Sequence, residues 1–298
     1  MAGYWLRRIE ALDPVLDAHE IYRISIGYEF PWDYRRALEF ALFRTYCVPS
    51  ISHLLATTGE FEHRPQRRYD DTALLMAEIA EHGPHSERGR AALGVVNRMH
   101  GRYRIDNDDM LYVLSTFVYE PIEWIEQFGW RPLHEHERQA AYHYFHEVGR
   151  LMGIKDIPVG FAAFRQFKVD YEGRNFRYSE DNHRIGTDTV ELFCSWFPKP
   201  LRPAVAAGAR SLLDPMMLEA FGFDAPPPWL GRLARAALRA RAVAERPLPR
   251  RRRSKLLRPG GARSYPTYPV GLGPEDLGAP EPPADVDPSL LRRPAPRG

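Results

Sequence analysis

Two short stretches carry the side chains with the most chemical capacity: NRMHGRYRI at 97–105 and RRYDDT at 67–72. Upstream of the first, Leu93, Val96 and Met99 recur at helical spacing, which puts His100 on the face that packs inward. An imidazole held there is either satisfied by a hydrogen bond or uses one nitrogen to hold a metal. In the second stretch, positions 68, 71, 72, 75, 76 and 79 share one helix face. Arg68, Asp71 and Thr72 thus continue the apolar stripe of Leu75, Met76 and Ile79. Spacing alone reads that face as emerging from the core at its N-terminal end, where acidic residues suit the helix dipole and Arg68 pairs with Asp70 or Asp71.

Other groups compete for the role of metal site. A di-iron carboxylate protein needs inward-facing Glu-x-x-His motifs on two helices. Glu60 and His63 have that spacing in GEFEHRP, directly before a proline and off any helix, and Glu180 and His183 have it at a helix start. In HEHERQAAYHYFHE at 134–147, His134 and His136 project to different sides of a helix, as solvated histidines do. Cys47 and Cys194 form neither a CxxC pair nor a CxxCH haem-attachment site, which excludes a disulfide scaffold and a covalent c-type haem and implies a reducing compartment. Cys194, in LFCSWFP, reads as a small buried residue.

The elements that must position these residues are helical. Strand alternation is hard to find, and Gly, Pro, Asp and Ser supply the breaks, so the expectation is an all-α protein with no internal repeat. Asp33 caps a helix to about Tyr46, Pro49 opens one that stops near Gly59, and a third runs from about Arg67 to Gly83. Ser86 caps the helix bearing His100, and Asp106 caps a long apolar helix that Pro121 should kink. Further helices are expected over roughly 134–152, 160–175, 180–196, 203–221 and 228–245. The aromatic segments LYVLSTFVY at 111–119 and YHYFHEVG at 142–149 are core, with some share in lining a pocket.

The 298 residues, 44% of them hydrophobic, suffice for one large domain. A body over 1–245 precedes a tail over 246–298 that opens with RPLPRRRRSK and repeats proline. The tail's 11 Lys/Arg against 5 Asp/Glu leave it at +6 and the body at −4. Such a tail reads as exposed, largely irregular and solvated. Its arginines, Arg250 to Arg253, suit peripheral contact with anionic lipid, whereas one short run without a binding fold does not make a nucleic-acid protein. No charged n-region leads into an apolar run, and no segment approaches 18 uninterrupted apolar residues, so neither signal peptide nor membrane span is expected and the cytoplasm is the expected location.

RRYDDT, NRMHGRY with the following IDNDDMLYVLSTF, then FGWRPL and VGRLMGIKDIP, occur in an order that resembles the catalytic domain shared by MpaB-type oxygenases and the rubber oxygenase known as latex clearing protein, closest to the MpaB side. The likeness spans roughly 20–245 and resumes at YPVG, 268–271. It implies a single globin-like domain holding a non-covalent b-type haem, with His100 as the proximal iron ligand and Tyr103 and Arg68 also at the haem. Arg68 and Thr72 match the family's distal arginine and threonine. Asp71 stands where the rubber oxygenases have a lysine that can cap the iron, a departure that alters the distal chemistry. The reaction implied is oxidation or cleavage by O2 of a C=C bond in an isoprenoid or other hydrophobic small molecule. A haem or lipid carrier or sensor, and the di-iron protein, are the alternatives.

Overall fold

Prolines and short polar caps cut the chain into helices. The computed structural model describes residues 3–249, 251–257, 266–268, 273–278 and 287–292. Fourteen α-helices lie among them: α1 (Tyr4–Glu10), α2 (Ala18–Ile24), α3 (Pro31–Thr45), α4 (Pro49–Thr57), α5 (Glu60–His63), α6 (Pro65–His82), α7 (Glu87–His100), α8 (Asn107–Phe128), α9 (Glu135–Leu151), α10 (Phe161–Asn175), α11 (Glu180–Ser195), α12 (Arg202–Arg210), α13 (Pro215–Phe221) and α14 (Pro228–Glu245). Among the described residues the only β pairing is one antiparallel bridge, Tyr103 to Leu291. The protein is all-α, as its periodicity requires.

Local chemistry explains most boundaries. Ser86 Oγ accepts from the Gly89 amide at 2.9 Å, and Asp106 Oδ1 accepts from the Asp108 amide at 2.8 Å, each satisfying an amide that the first helical turn leaves without a partner. His134 is the N-cap of α9 rather than a solvated side chain, its Nδ1 accepting from the His136 amide at 3.2 Å. Pro31, not Asp33, opens α3, because Asp33 is wholly buried inside the first turn and bound to Arg241 at 2.8 Å. Glu60 and His63 lie on a short helix rather than in a loop. The segment 203–221 is two helices, since Asp214 caps a new start at Pro215. Pro121 leaves α8 one continuous helix.

α8 is the central strut. It packs against α3, α9, α10 and α14, and its inward residues join α2, α6, α7 and α9 in the main core. A second apolar cluster gathers Phe43, Phe61, Ile185 and Phe221 around α11 and α13. The FGWRPL motif ties three elements together. Arg131 reaches Glu137 on α9 at 2.6 Å and Glu29, in the π-turn Ser25–Glu29, at 2.8 Å, while its guanidinium lies 4.7 Å from the centre of the Phe30 ring. In VGRLMGIKDIP, Gly149 lets α9 approach α8, because a Cβ there would come within 2.4 Å of Leu114.

The tail is docked where it is described. Leu256 and Leu277 are buried in the main core, Tyr268 packs against it, and Arg251 donates to the Tyr28 carbonyl at 3.2 Å. The Arg104 amide donates to Leu290 and the Arg292 amide to Arg102. Solvation is therefore the wrong description of Leu256 and Leu277, which dock singly onto the helices, whereas Arg252, Arg253 and Lys255 stay exposed as expected. Arg250 lies outside the described residues.

Candidate functional site

α6 and α7 form an antiparallel hairpin closed by a short turn at Gly83, where φ is +87°. Near the turn, Arg88 of α7 grips Glu78 of α6 through two hydrogen bonds of 2.9 and 2.6 Å. At the open end the same geometry sets Arg68, in the first turn of α6, close to His100, the last residue of α7.

His100 Nδ1 is buried and has no hydrogen-bond partner among the described residues. Burial, aided by the Arg68 charge, pushes the imidazole pKa down to about 4, so the ring is neutral near pH 7. A buried polar nitrogen without a partner is costly, and a neutral imidazole is the form that binds metal. Arg68 Nη1 donates to Thr72 Oγ1 at 3.3 Å, and Thr72 Oγ1 in turn donates to the Arg68 carbonyl at 3.1 Å. The guanidinium lies 5.7 Å from the centre of the Phe61 ring and has no acidic partner among the described residues. Its charge also bears on Tyr46, whose phenol burial pushes up to about 12, and on half-buried Tyr103, likewise raised by burial.

The expected pairing of Arg68 with Asp70 or Asp71 does not form. Asp71 accepts from the Tyr268 hydroxyl and from the Gly278 amide at 3.1 Å, and Asp70 accepts from Gln66 at 2.7 Å and the Thr267 amide at 3.0 Å. Both carboxylates hold the tail against α6. Arg68, Thr72, Tyr103 and His100 thus gather at one end of the hairpin, and Asp71 is turned to a neighbouring task.

Beside this cluster lies a largely apolar cavity of about 100 Å³, open at one side. Tyr22, Leu38, Thr72, Met76, Phe117 and Tyr144 line it, and Arg35, Glu39 and Lys255 bring charge to its walls. From the two aromatic segments, Phe117 and Tyr144 reach the wall; Tyr112, Tyr119 and Phe145 are core. Thr72 links cavity and cluster, being both a wall residue and the partner of Arg68. Sequence reading missed Tyr22, Leu38 and the tail's Lys255 and Leu256, which carry no pattern apart from ordinary core or linker residues.

The competing metal groups are otherwise engaged. Glu60 pairs with Arg64, and His183 Nδ1 bonds the Phe221 carbonyl at 2.8 Å. His136 bonds the Ile9 carbonyl at 3.2 Å, and Cys194 is buried, its Sγ 3.4 Å from the Arg202 carbonyl. Among the described residues no three His, Cys, Asp or Glu converge as a metal centre. A single inward imidazole with a cation nearby could hold an anionic iron porphyrin, in which the macrocycle would supply the remaining nitrogen ligands.

The arrangement defines an all-helical domain that offers one neutral imidazole, one arginine and an apolar chamber to a bound group. Residues 32–245 match the family model described as "ER-bound oxygenase mpaB/B'/Rubber oxygenase, catalytic domain", and the chain belongs to this family of oxygenases. It is 37% identical over 223 residues to the ER-bound oxygenase mpaB of Penicillium roqueforti (strain FM164), covering 68% of this chain and 74% of that protein. To ER-bound oxygenase mpaB' of Penicillium brevicompactum it is 31% identical over 219 residues, 67% of this chain and 52% of the relative, so it spans about half the latter's length. Among the described residues no helix is long and apolar enough to cross a membrane.

Proposed function

We propose that the protein is a haem b-dependent oxygenase that oxidises or cleaves a C=C bond of an isoprenoid or other hydrophobic molecule with O2, working in the cytoplasm with peripheral membrane contact. The observation that carries this reading is the buried Nδ1 of a neutral His100, which has no partner among the described residues and lies within reach of the Arg68 charge. Bound haem supplies the oxygen chemistry. His100 would hold the iron from the end of α7. Arg68 provides a permanent charge and a fork of N–H donors for a propionate or for a developing oxyanion, and its bond to Thr72 sets its direction. Thr72 stands where the chamber meets that arginine, and its hydroxyl, held between the Arg68 guanidinium and carbonyl, positions Arg68 at the cavity wall. Tyr103, half-buried and within reach of the Arg68 charge, would border the same group. Asp71 acts as a positioning residue, holding Tyr268 and with it the tail. The apolar walls would take an apolar segment of the substrate at the cavity mouth. Residues 1–245 form the catalytic unit, and the tail completes one wall.

The first test is an absorption spectrum of the purified chain reconstituted with haem. An intense Soret band that His100→Ala abolishes supports ligation; an unchanged band in that variant refutes it. Incubating the reduced, haem-loaded protein with prenylated compounds under oxygen should then yield aldehydes or ketones. A haem-replete protein that consumes no oxygen over a broad panel is a carrier or sensor instead.

A further inference from the structure

α14 shows three faces instead of two. Its 18 residues, PWLGRLARAALRARAVAE, are rich in strong helix formers and span about 27 Å. Gly231, Leu238, Ala242 and Glu245 face the body, as expected. Successive residues turn by about 100°, so Arg232, Arg235 and Arg239 fall in one column beside that buried face. Beyond the column, Trp229, Leu233, Ala236, Ala240 and Val243 form a continuous stripe on the side turned to solvent. Trp229, Leu233 and Val243 are each 57% exposed, and so is Leu248 just past the helix end. Arg232, Arg235 and Arg239 have no acidic partner among the described residues, whereas Arg241, on the opposite flank, is tied to Asp33 and Glu245.

We propose that α14 is a membrane-surface helix that seats the protein on anionic lipid. An apolar stripe bordered by a single-sign column matches a bilayer interface: the stripe enters the acyl boundary, the arginines meet the headgroup phosphates, and Trp229 lies at the headgroup level. A soluble partner would have to bury the stripe and neutralise three cations together; an anionic leaflet does both. The position supports this occupant. Arg241 stacks 3.7 Å over Trp32, in the first turn of α3, whose neighbours Pro31 and Arg35 line the apolar chamber, and Lys255 and Leu256 line it from the segment that follows α14. The chamber therefore lies beside the proposed lipid contact. Of the basic run, Arg251 is turned inward to Glu245 and the Tyr28 carbonyl, while Arg252 and Arg253 stay exposed just past the helix and extend its cationic border. This deepens the proposed location and does not depend on the oxidation chemistry: vesicle binding can fail while activity stands, and the reverse.

The test is co-sedimentation of the full chain with vesicles of phosphatidylcholine alone or mixed with phosphatidylserine. The native chain should bind the mixed vesicles, release them at high salt, and ignore the neutral ones. Replacing both Arg232→Ala and Arg239→Ala, exposed positions whose loss should leave circular dichroism and melting unchanged, should weaken binding about 25-fold, roughly fivefold for each arginine. Trp229→Ser with Leu233→Ser should abolish it. A native chain that does not sediment with phosphatidylserine, or variants that bind like the native chain, overturns the proposal. So does a native dimer in light scattering that Trp229→Ser with Leu233→Ser splits, because a second copy would then cover the stripe.

Discussion

Arg131 of the FGWRPL motif offers a test of the reasoning behind the fold. Its guanidinium bonds Glu137 at 2.6 Å and Glu29 at 2.8 Å, and both carboxylate side chains are fully buried. Glu137 also receives the Ser25 hydroxyl at 2.6 Å and the His134 amide at 2.7 Å. Changing Arg131→Met keeps much of the stem's packing on Phe30 but takes the cation from two charges that cannot reach water. Breaking a buried pair by removing one partner costs about 3–5 kcal/mol, against a total stability of about 5–15 kcal/mol. For a domain of this size that is a fall in melting temperature of roughly 6–20 °C. Adding Glu29→Gln removes one orphaned charge and should return about 1–3 kcal/mol, whereas Arg131→Lys, which keeps the charge without the planar fork, should lie between parent and Met variant. Urea and thermal unfolding of the four proteins measure all of this. A loss below about 1 kcal/mol for Arg131→Met, or a further loss on adding Glu29→Gln, would refute the view that this cluster is held by charge neutralisation.

Tyr268→Phe removes a donor to the buried carboxylate of Asp71 and should cost about 1–3 kcal/mol. Limited proteolysis should then cut the tail faster, and an unchanged rate would mean that the latch lies elsewhere. Gly149→Ala forces a methyl against Leu114 and should destabilise by about 1–3 kcal/mol in denaturant unfolding. His19 donates Nε2–H to the Ala80 carbonyl at 2.9 Å, and burial lowers its pKa below the ordinary value of 6.5. The unfolded chain therefore binds the proton more readily, and stability falls as pH drops through 6.5. His19→Gln should lose less stability than the parent between pH 7 and pH 5, and parallel losses would show that His19 is not the group responsible.

The helical class and the inward placement of His100 were legible in the sequence, because a 3.6-residue period is a local property that survives any arrangement of the helices. The caps at Ser86 and Asp106 were equally plain, since a cap acts within one turn. Asp33 misled for the same reason: a short acidic residue after a proline reads as a cap, and only packing against α14 gives it Arg241. Order along the chain also suggested the family and the candidate residues, but not how they come together. That Arg68 meets His100 depends on the α6–α7 hairpin closing, and that Asp71 turns from Arg68 to Tyr268 depends on a contact across 197 residues. The docked tail was invisible because scattered Leu and Tyr among prolines have no period. Their burial is decided by the grooves that the helices present, and those grooves exist only once the body has folded.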